Sequence, residues 1–574
     1  METPAQIKQR LRQSTRDCSE RGLIFAATWA AEMASGMHAE SEDTINPAFL
    51  TSTPARASNA DASFNPSAFH VDEDSMSEQQ DMYALAKGYF DAREYGRCAN
   101  ALMFSTGDKS TFLKLYSRYL VGVEGISDST QLTAPQDSER RVQERTEPIM
   151  GPRDTRRENT NTEIAQLLTN LDDVQDPFLL YLKGVLLHRS SKRIEAMDVL
   201  IKSLNAYPWN WSAWLMLGIC VQDTDDLNTI ELYLPQGVML RVFSVHMLIE
   251  LHAVTDKLHN TLDELVRVFG STAHLSSQRA FVYYNMHQME EAESIFDDLY
   301  AHDPYRTQDL DLYSNIIYVL GNQTKLSALA HSVIKHNRSD PQVCCLIGNY
   351  FSIRGEHEKA IMYFRKALRL DRSYLSAWTL MGHEYIELKN SHAAVEAYRR
   401  AIDANAKDYR AWYGLAQAYE LLAMHNYALY FYQRATALRP YDQRMWQALS
   451  ANYEHLRQFD DSIKCQQRYM ELATDGVDPK MHMKLSKLYK DAHRAQESAL
   501  ELRKVYDIVE ASQGELRVTD FVNVYRELAI WELNKGNTSL AQSYLMKVVE
   551  TNAPEREEAM SILRTIQVKE LNQL

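Results

Sequence analysis

Large apolar, small and tyrosine positions recur along the middle of the chain with a period of 34 residues. Trp378 is followed four positions later by Gly382 and three positions after that by Tyr385. The same order recurs in Trp412-Tyr-Gly-Leu-Ala-Gln-Ala-Tyr419 and again in Trp446-Gln-Ala-Leu-Ser-Ala-Asn-Tyr453. Because residues three and four apart share one face of an α-helix, each block predicts a helix with a buried face.

A second small residue follows the first after twelve positions, which predicts a second helix in each repeat. The first small position is occupied in six consecutive repeats by Ala280, Ser314, Gly348, Gly382, Ala416 and Ser450. The second is occupied by Ala292, Leu326, Ala360, Ala394, Ala428 and Ser462, so the repeat with Leu326 is degenerate. Small residues at both positions let two helices approach closely at one crossing point. The sequence therefore predicts an all-α fold, a superhelical solenoid of antiparallel helix pairs of the tetratricopeptide repeat (TPR) type.

The repeat continues less regularly in both directions, and two polar stretches interrupt it. Those stretches are rich in Ser, Asp and Pro or in mixed charge and have no helical period, which predicts disorder. A repeat array also needs a polar cap at its end. The predicted division is residues 1–34 as N-terminal helices, 35–78 as a disordered linker, 79–123 as TPR-like helices, 124–162 as a second disordered linker, 163–272 as degenerate repeats, 273–476 as regular repeats, 477–555 as C-terminal repeats and 556–574 as a capping helix.

Composition narrows the class of protein. The 574 residues carry a net charge of −15, which argues against general binding to nucleic acid or to a membrane surface. The six cysteines form no CxxC motif, so a reducing compartment is expected. No run of 18 apolar residues occurs, so we expect no membrane span. We expect a protein of the nucleus and cytoplasm.

Motifs of catalysis and of cofactor binding are absent from the sequence. It contains no phosphate-binding Gly-rich loop, no HExxH motif and no nucleophile elbow. The pair His383-Glu384 opens like a zinc-protease motif, but Glu387 stands where the second histidine would be. Cys344 fills a large apolar position and is expected in the core. We therefore expect neither an enzyme nor a bound cofactor or metal.

The concave surface of a TPR array is lined mainly by the first helix of each pair, and polar residues there suit an extended peptide. Asparagine side chains hydrogen-bond a peptide backbone, and carboxylates pair with its Arg or Lys. Solvated surface polar groups are the alternative interpretation. The residues predicted to form the peptide groove are Asn349, His383, Glu384, Glu387, Tyr413, Gln417 and Glu420.

Several runs exceed the general TPR pattern and resemble one family. They are Cys344-Cys-Leu-Ile-Gly-Asn-Tyr350, His357-Glu-Lys-Ala360, Ala377-Trp-Thr-Leu-Met-Gly-His-Glu-Tyr385 and Asp408-Tyr-Arg-Ala-Trp-Tyr-Gly-Leu415. Asp303-Pro-Tyr-Arg306 and Glu20-Arg-Gly-Leu23 are similar as well. Together they resemble the eighth subunit of the anaphase-promoting complex, or cyclosome, over residues 17 to about 470.

The resemblance implies a function. Members of that family homodimerise through N-terminal repeats inside a multisubunit RING-type ubiquitin ligase and do not catalyse the transfer themselves. It further implies other subunits of the complex as partners, and a C-terminal groove for an Arg-containing coactivator motif. Asn349 and Glu384 match family positions implicated in such binding. Since neither stands at a core position of the repeat, we expect Asn349→Ala and Glu384→Ala to leave folding intact.

Two other functions fit a TPR array. A co-chaperone that binds the C-terminal tails of chaperones needs Lys, Arg and Asn directed at a terminal carboxylate, and the acidic residues of the predicted groove argue against it. A TPR-fused enzyme would need a catalytic domain, for which the repeats and linkers leave no room.

Overall fold

The structure is a computed structural model of the whole chain. It describes residues 3–37, 73–131, 164–172, 174–253, 256–337, 340–372, 374–473, 478–511, 521–550 and 556–571. Within these ranges the chain forms α-helices and no β-strand, which confirms the predicted all-α fold. None of the described helices is long and apolar enough to cross a membrane.

The chain divides into two compact units, residues Met1–Pro304 and Tyr305–Leu574. Unit 1 contains the first fourteen helices in chain order. They are α1 (Pro4–Glu20), α2 (Ile24–Gly36), α3 (Glu73–Asp91), α4 (Tyr95–Ala101), α5 (Asp108–Gln131), α6 (described over 164–169), α7 (Pro177–Arg189), α8 (Arg193–Ala206), α9 (Trp211–Cys220), α10 (Thr224–Glu231), α11 (Val238–Glu250), α12 (Asp256–Phe269), α13 (Ala273–Asn285) and α14 (Met289–His302).

Unit 2 continues the helix pairs to the end of the chain. Its helices are α15 (Leu310–Val319), α16 (Gln323–Ile334), α17 (Pro341–Ile353), α18 (His357–Leu370), α19 (Leu375–Glu387), α20 (Ser391–Ala404), α21 (Tyr409–Leu421), α22 (His425–Leu438), α23 (Gln443–His455), α24 (Phe459–Glu471), α25 (Pro479–Asp491), α26 (Ala495–Ala511), α27 (Val522–Lys535), α28 (Thr538–Glu550) and α29 (Arg556–Leu571).

Two predicted boundaries differ from the helices. α3 begins at Glu73 rather than at 79, and α5 runs to Gln131 rather than to 123. The predicted limits were placed where the apolar periodicity ends. A helix that has formed can continue into polar residues, because each added residue forms one more hydrogen bond. Most of the two predicted linkers, residues 38–72 and 132–163, lies outside the described residues.

The small positions of the repeat lie at close helix crossings. Ser450 and Ser462, twelve residues apart, approach with their hydroxyl oxygens 3.1 Å from each other, and Ser462 Oγ donates to the Ser450 carbonyl at 2.9 Å. At Gly382 the close neighbour is the side chain of Tyr398. A Cβ atom there would lie 2.6 Å from a ring carbon of Tyr398. The first small residue therefore leaves room for an aromatic ring sixteen positions later.

That aromatic position recurs with the repeat and links successive pairs. Phe296, Phe364, Tyr398 and Tyr432 occupy it and are 0–2% exposed. The Tyr398 ring touches Gly382 of its own repeat and Gly414 of the next one. Four second helices thus contribute a buried ring at this position, whereas α16 has Ala330 and α24 has Gln466 there.

The turn inside each pair needs a left-handed backbone. Positive φ occurs at His287, Gly321, Gly355, Lys389, Ala423 and Arg457, which are spaced by 34 residues. His493 follows after 36, in step with the two-residue shift that begins at Ser486. Glycine adopts this conformation without strain, whereas Lys389 and Arg457 do so at a cost.

In unit 1 the pair α1–α2 packs against helices distant in sequence. Trp29 of α2 stacks on Trp211 of α9, with ring centroids 4.6 Å apart. The Glu32 carboxylate accepts the backbone N–H of His274, at the start of α13, at 2.7 Å. The N-terminal helices therefore belong to the core of unit 1.

Candidate peptide groove

The predicted groove residues lie on the first helices of three consecutive repeats in unit 2. Asn349 lies on α17, His383, Glu384 and Glu387 on α19, and Tyr413, Gln417 and Glu420 on α21. Two of these helices, α17 and α21, begin at a capping aspartate. Asp340 and Asp408 accept backbone N–H groups two residues ahead with their side chains, and such bonds satisfy the free donors of a first turn. The helix between them, α19, begins after Tyr374, whose side chain forms no capping bond.

Asn349 is an interior residue. Its side chain is buried, and its Nδ2 donates to the Ser314 hydroxyl of α15 at 2.9 Å. The bond joins the first helices of two successive repeats. A peptide in the groove would have to displace Ser314 to reach the donor that this bond uses.

Glu384 is an interior residue too. It is 5% exposed, and its two carboxylate oxygens are separately engaged. Ser352 Oγ donates to one at 2.6 Å, and His357 Nδ1 lies 2.8 Å from the other. The carboxylate thereby connects α17, α18 and α19.

The expectation that Asn349 and Glu384 avoid core positions is wrong. Glu384 stands two residues after the small Gly382, and the residues in the same register of the next two repeats, Ala418 and Asn452, are also fully buried. This register faces the preceding repeat. Sequence alone did not reveal it, because a charged residue at such a position is found only where partners satisfy it.

His383 is exposed and forms one hydrogen bond to the protein, in which its Nδ1 lies 2.9 Å from the Tyr398 hydroxyl. Desolvation, together with the Arg410 guanidinium, lowers the pKa of the imidazole. Solvent contact weakens that desolvation, yet the imidazole is neutral at pH 7 in either case. It can therefore exchange hydrogen bonds with a peptide without charge repulsion.

The remaining predicted residues differ in exposure. Glu387 is exposed, whereas Tyr413, Gln417 and Glu420 are half-buried. Glu420 accepts the Tyr432 hydroxyl at 2.6 Å, and the Tyr413 ring meets that of Tyr432 edge-on at 5.6 Å. Desolvation raises the pKa of Tyr413, so it remains a neutral hydroxyl. Glu387 is thus the carboxylate of the set that is open to a ligand.

Two arginines near these residues were missed by sequence reasoning. Arg410 and Arg444 each lie two residues after a capping aspartate and pair with it, Arg410 Nε at 3.0 Å from Asp408 and one Arg444 terminal nitrogen at 3.0 Å from Asp442. They affect the pKa values of His383 and Tyr413, respectively. The Asp-x-Arg pattern repeated at 34 residues was the available signal. The surroundings of the candidate peptide groove are therefore mixed in charge.

Among the described ranges no group of three or more His, Cys, Asp and Glu side chains is placed to hold a metal ion. Cys344 and Cys345 are fully buried, which confirms the core position predicted for Cys344. Burial raises the pKa of both thiols, so they are poor nucleophiles.

The helix pairs, their crossings and the capped first helices define a protein of the TPR class. Two tetratricopeptide repeats match over residues 341–374 and 375–408. A crystal structure of the anaphase-promoting complex heterotetramer Cut9–Hcn1 has a similar fold, with a TM-score of 0.53 over 97% of this chain and 96% of that one, at 15% identity. This likeness concerns the fold alone.

Within the TPR class the sequence is similar to one family. Residues 6–280 match the family "Anaphase promoting complex subunit 8 / Cdc23". The chain is 34% identical over 377 residues to anaphase-promoting complex subunit 8 of Arabidopsis thaliana, covering 62% of each chain. It is 33% identical over 413 residues to anaphase-promoting complex subunit CDC23 of Saccharomyces cerevisiae, covering 63% of this chain and 66% of the relative. The chain is similar to members of this family over these residues, and the matches span less than two thirds of these relatives.

Proposed function

We propose that this chain is a non-catalytic scaffold subunit of an anaphase-promoting complex, acting in the nucleus and cytoplasm with other subunits of that ubiquitin ligase. Sequence similarity to this family carries the proposal. A helix-pair array with a buried core and exposed polar side chains on a first helix, such as His383 and Glu387, suits protein binding rather than chemistry. Copurification of the tagged chain with the other subunits of the complex tests it, and a chain recovered without them would contradict it.

The proposal includes homodimerisation through the N-terminal repeats, residues 79–123 and 163–272. Two-fold symmetric contact is the commonest form of homo-oligomer. Sedimentation of the full chain at micromolar concentration should give a dimer. A monomer under these conditions would contradict this part.

The groove of unit 2 is proposed to bind an Arg-containing coactivator motif. The exposed Glu387 would pair with the arginine, His383 and Gln417 would hydrogen-bond the peptide, and Tyr413 and Glu420 would line the next repeat. Asn349 and Glu384 act by holding the first helices in register. Asn349 and Glu384 therefore support the groove and do not contact the peptide themselves.

A titration of the assembled complex with an Arg-containing coactivator peptide tests the groove. Glu387→Gln removes a charge-assisted contact and should weaken binding about two- to fivefold, since the site is exposed. Glu396→Gln is the matched control, because Glu396 is exposed on the second helix of the same repeat and pairs with Arg400 at 3.1 Å. Equal affinities for both variants would place the peptide elsewhere.

Binding of an acidic or C-terminal tail, as in a co-chaperone, is the second candidate. The arginines Arg410 and Arg444 favour it, because they add positive charge beside the candidate peptide groove. The same titration with a peptide ending in acidic residues distinguishes the two candidate functions. Tighter binding of the Arg-containing peptide supports the coactivator receptor, and tighter binding of the acidic peptide supports the co-chaperone.

A further inference from the structure

Unit 1 carries a groove that differs from the candidate peptide groove. It has a volume of about 410 Å³ and lies between α1 and α2. One wall is formed by Lys8, Arg12, Thr15 and Arg16 of α1, and the other by Ala31, Ala34 and Ser35 of α2. We call these seven residues the cationic groove. In a chain with net charge −15, a groove lined by three cations is unusual.

The three cations form one row along α1. Lys8, Arg12 and Arg16 are four residues apart, which places them on the same face at intervals of about 6 Å. Arg12 and Arg16 are exposed. Lys8 Nζ donates to the Met37 carbonyl at 2.5 Å, and the acceptor of this bond is uncharged.

The carboxylates of the two helices are directed elsewhere. Asp17 accepts the Tyr207 hydroxyl at 3.1 Å, Glu20 pairs with Lys109 at 2.5 Å, and Glu32 accepts the His274 N–H at 2.7 Å. These are the acidic residues of α1 and α2. The fold thus uses the negative charge of the helix pair for internal contacts and leaves the positive row facing the groove.

We infer that the cationic groove binds an extended acidic peptide of another polypeptide. Alternate side chains of an extended chain point the same way and repeat every ~6.7 Å, close to the ~6 Å interval of the cations. Three carboxylates or phosphates at alternate positions would therefore face the three cations together. The small side chains of Ala31, Ala34 and Ser35 on α2 leave space for the peptide backbone.

The test uses the full-length chain and a fluorescein-labelled peptide with the sequence Glu-Ser-Glu-Ser-Glu between glycines. The anisotropy should report binding that weakens as sodium chloride is raised, because solvent-exposed charges are screened. Arg12→Gln and Arg16→Gln should each weaken binding about two- to fivefold. Arg12→Lys keeps the positive charge and should retain most of the affinity for the peptide. Arg118→Gln is the matched control, an exposed arginine of α5 that does not line the groove, and should change nothing.

Four results would overturn the inference. One is unchanged affinity in both arginine variants, with helical content preserved. Another is equal binding of a peptide of the same composition whose glutamates are consecutive. Equally tight binding of a DNA oligonucleotide would indicate a general polyanion surface. Tenfold tighter peptide binding after Glu40→Gln, Glu42→Gln and Asp43→Asn together would mean that the chain's own acidic residues occupy the groove. None of these results bears on the proposed function.

Discussion

Glu384 shows how one side chain holds three helices together. Its carboxylate accepts from Ser352 and pairs with His357, and these two groups come from the preceding repeat. A buried carboxylate is tolerated only where its partners are provided by the fold. A residue that first suggested ligand binding is therefore part of the contact between repeats.

Replacing this carboxylate should destabilise unit 2. Glu384→Ala removes the partner of His357 and the nearer acceptor of Ser352, which keeps the Tyr318 hydroxyl at 3.3 Å. We expect a loss of about 1–3 kcal/mol in the free energy of unfolding. Glu387→Ala is the control, because Glu387 is exposed and one helical turn away, and it should stay within about 0.5 kcal/mol of the parent chain. Urea denaturation followed by circular dichroism measures both. Equal stability of the two variants would refute the structural role.

Gly382 is constrained by the ring beside it. A Cβ atom would lie 2.6 Å from Tyr398, a fully buried side chain with little room to move. Gly382→Ala should cost about 1–3 kcal/mol and Gly382→Leu more, by overpacking. Thermal melting checks this, and an unchanged melting temperature for the leucine variant would mean that the crossing is misplaced.

At the scale of the helix pair, the turn between the two helices has a fixed geometry. In the pair α19–α20, Lys389 N donates to Ile386 O and Asn390 N to Tyr385 O, both at 2.8 Å, and Lys389 has a φ of 58°. In the pair α17–α18 the same place is taken by Gly355, with a φ of 73°. Two repeats thus make the same turn with and without a Cβ atom.

Exchanging the two residue types should have opposite effects. Lys389→Gly removes left-handed strain of about 1–2 kcal/mol. It also adds unfolded-chain entropy worth about 0.5–1 kcal/mol, so the variant should be more stable by up to about 1.5 kcal/mol. Gly355→Ala should destabilise by about 1 kcal/mol. A Cβ atom at residue 355 would meet no other atom within 4 Å, so the destabilisation would come from the left-handed backbone and not from a steric clash. Urea midpoints of the two variants that move in the same direction would contradict this account.

The helix pairs were predictable because their pattern is local. Small and aromatic residues at fixed spacing determine each crossing, and the crossing is repeated in Ser450–Ser462 and again in Ser486–Ser498. The groove was less predictable. The bonds that bury Asn349 and Glu384 join residues 32 to 35 positions apart, and no periodic rule states which polar residue of a first helix faces the neighbouring repeat.

At the scale of the whole molecule, each unit has its own hydrophobic core. A hydrophobic cluster of unit 1 contains side chains from Ile7 to Val282. Buried hydrophobic side chains of unit 2 run from Leu310 to Ile566. In a repeat protein stability is close to a sum of repeats and of neighbour contacts. Each unit can therefore be stable without the other.

Residues 305–574 expressed alone should fold. The expected results are a strongly helical circular dichroism spectrum and a cooperative melt. Sedimentation should give a monomer for this fragment and a dimer for the full chain, if dimerisation belongs to the N-terminal repeats as proposed. An unfolded fragment would show that unit 2 depends on unit 1, and a dimeric fragment would place the interface in unit 2.

The ring of Tyr398 between Gly382 and Gly414 also limits which substitutions this sequence can accumulate during evolution. A Cβ at either glycine collides with the ring, so replacing either one destabilises the protein while the tyrosine remains. Shortening the ring first would open a cavity that alanines could then fill, because effects at touching positions are not additive. The three sites should therefore change together among related chains, with larger residues at 382 and 414 found beside a smaller one at 398.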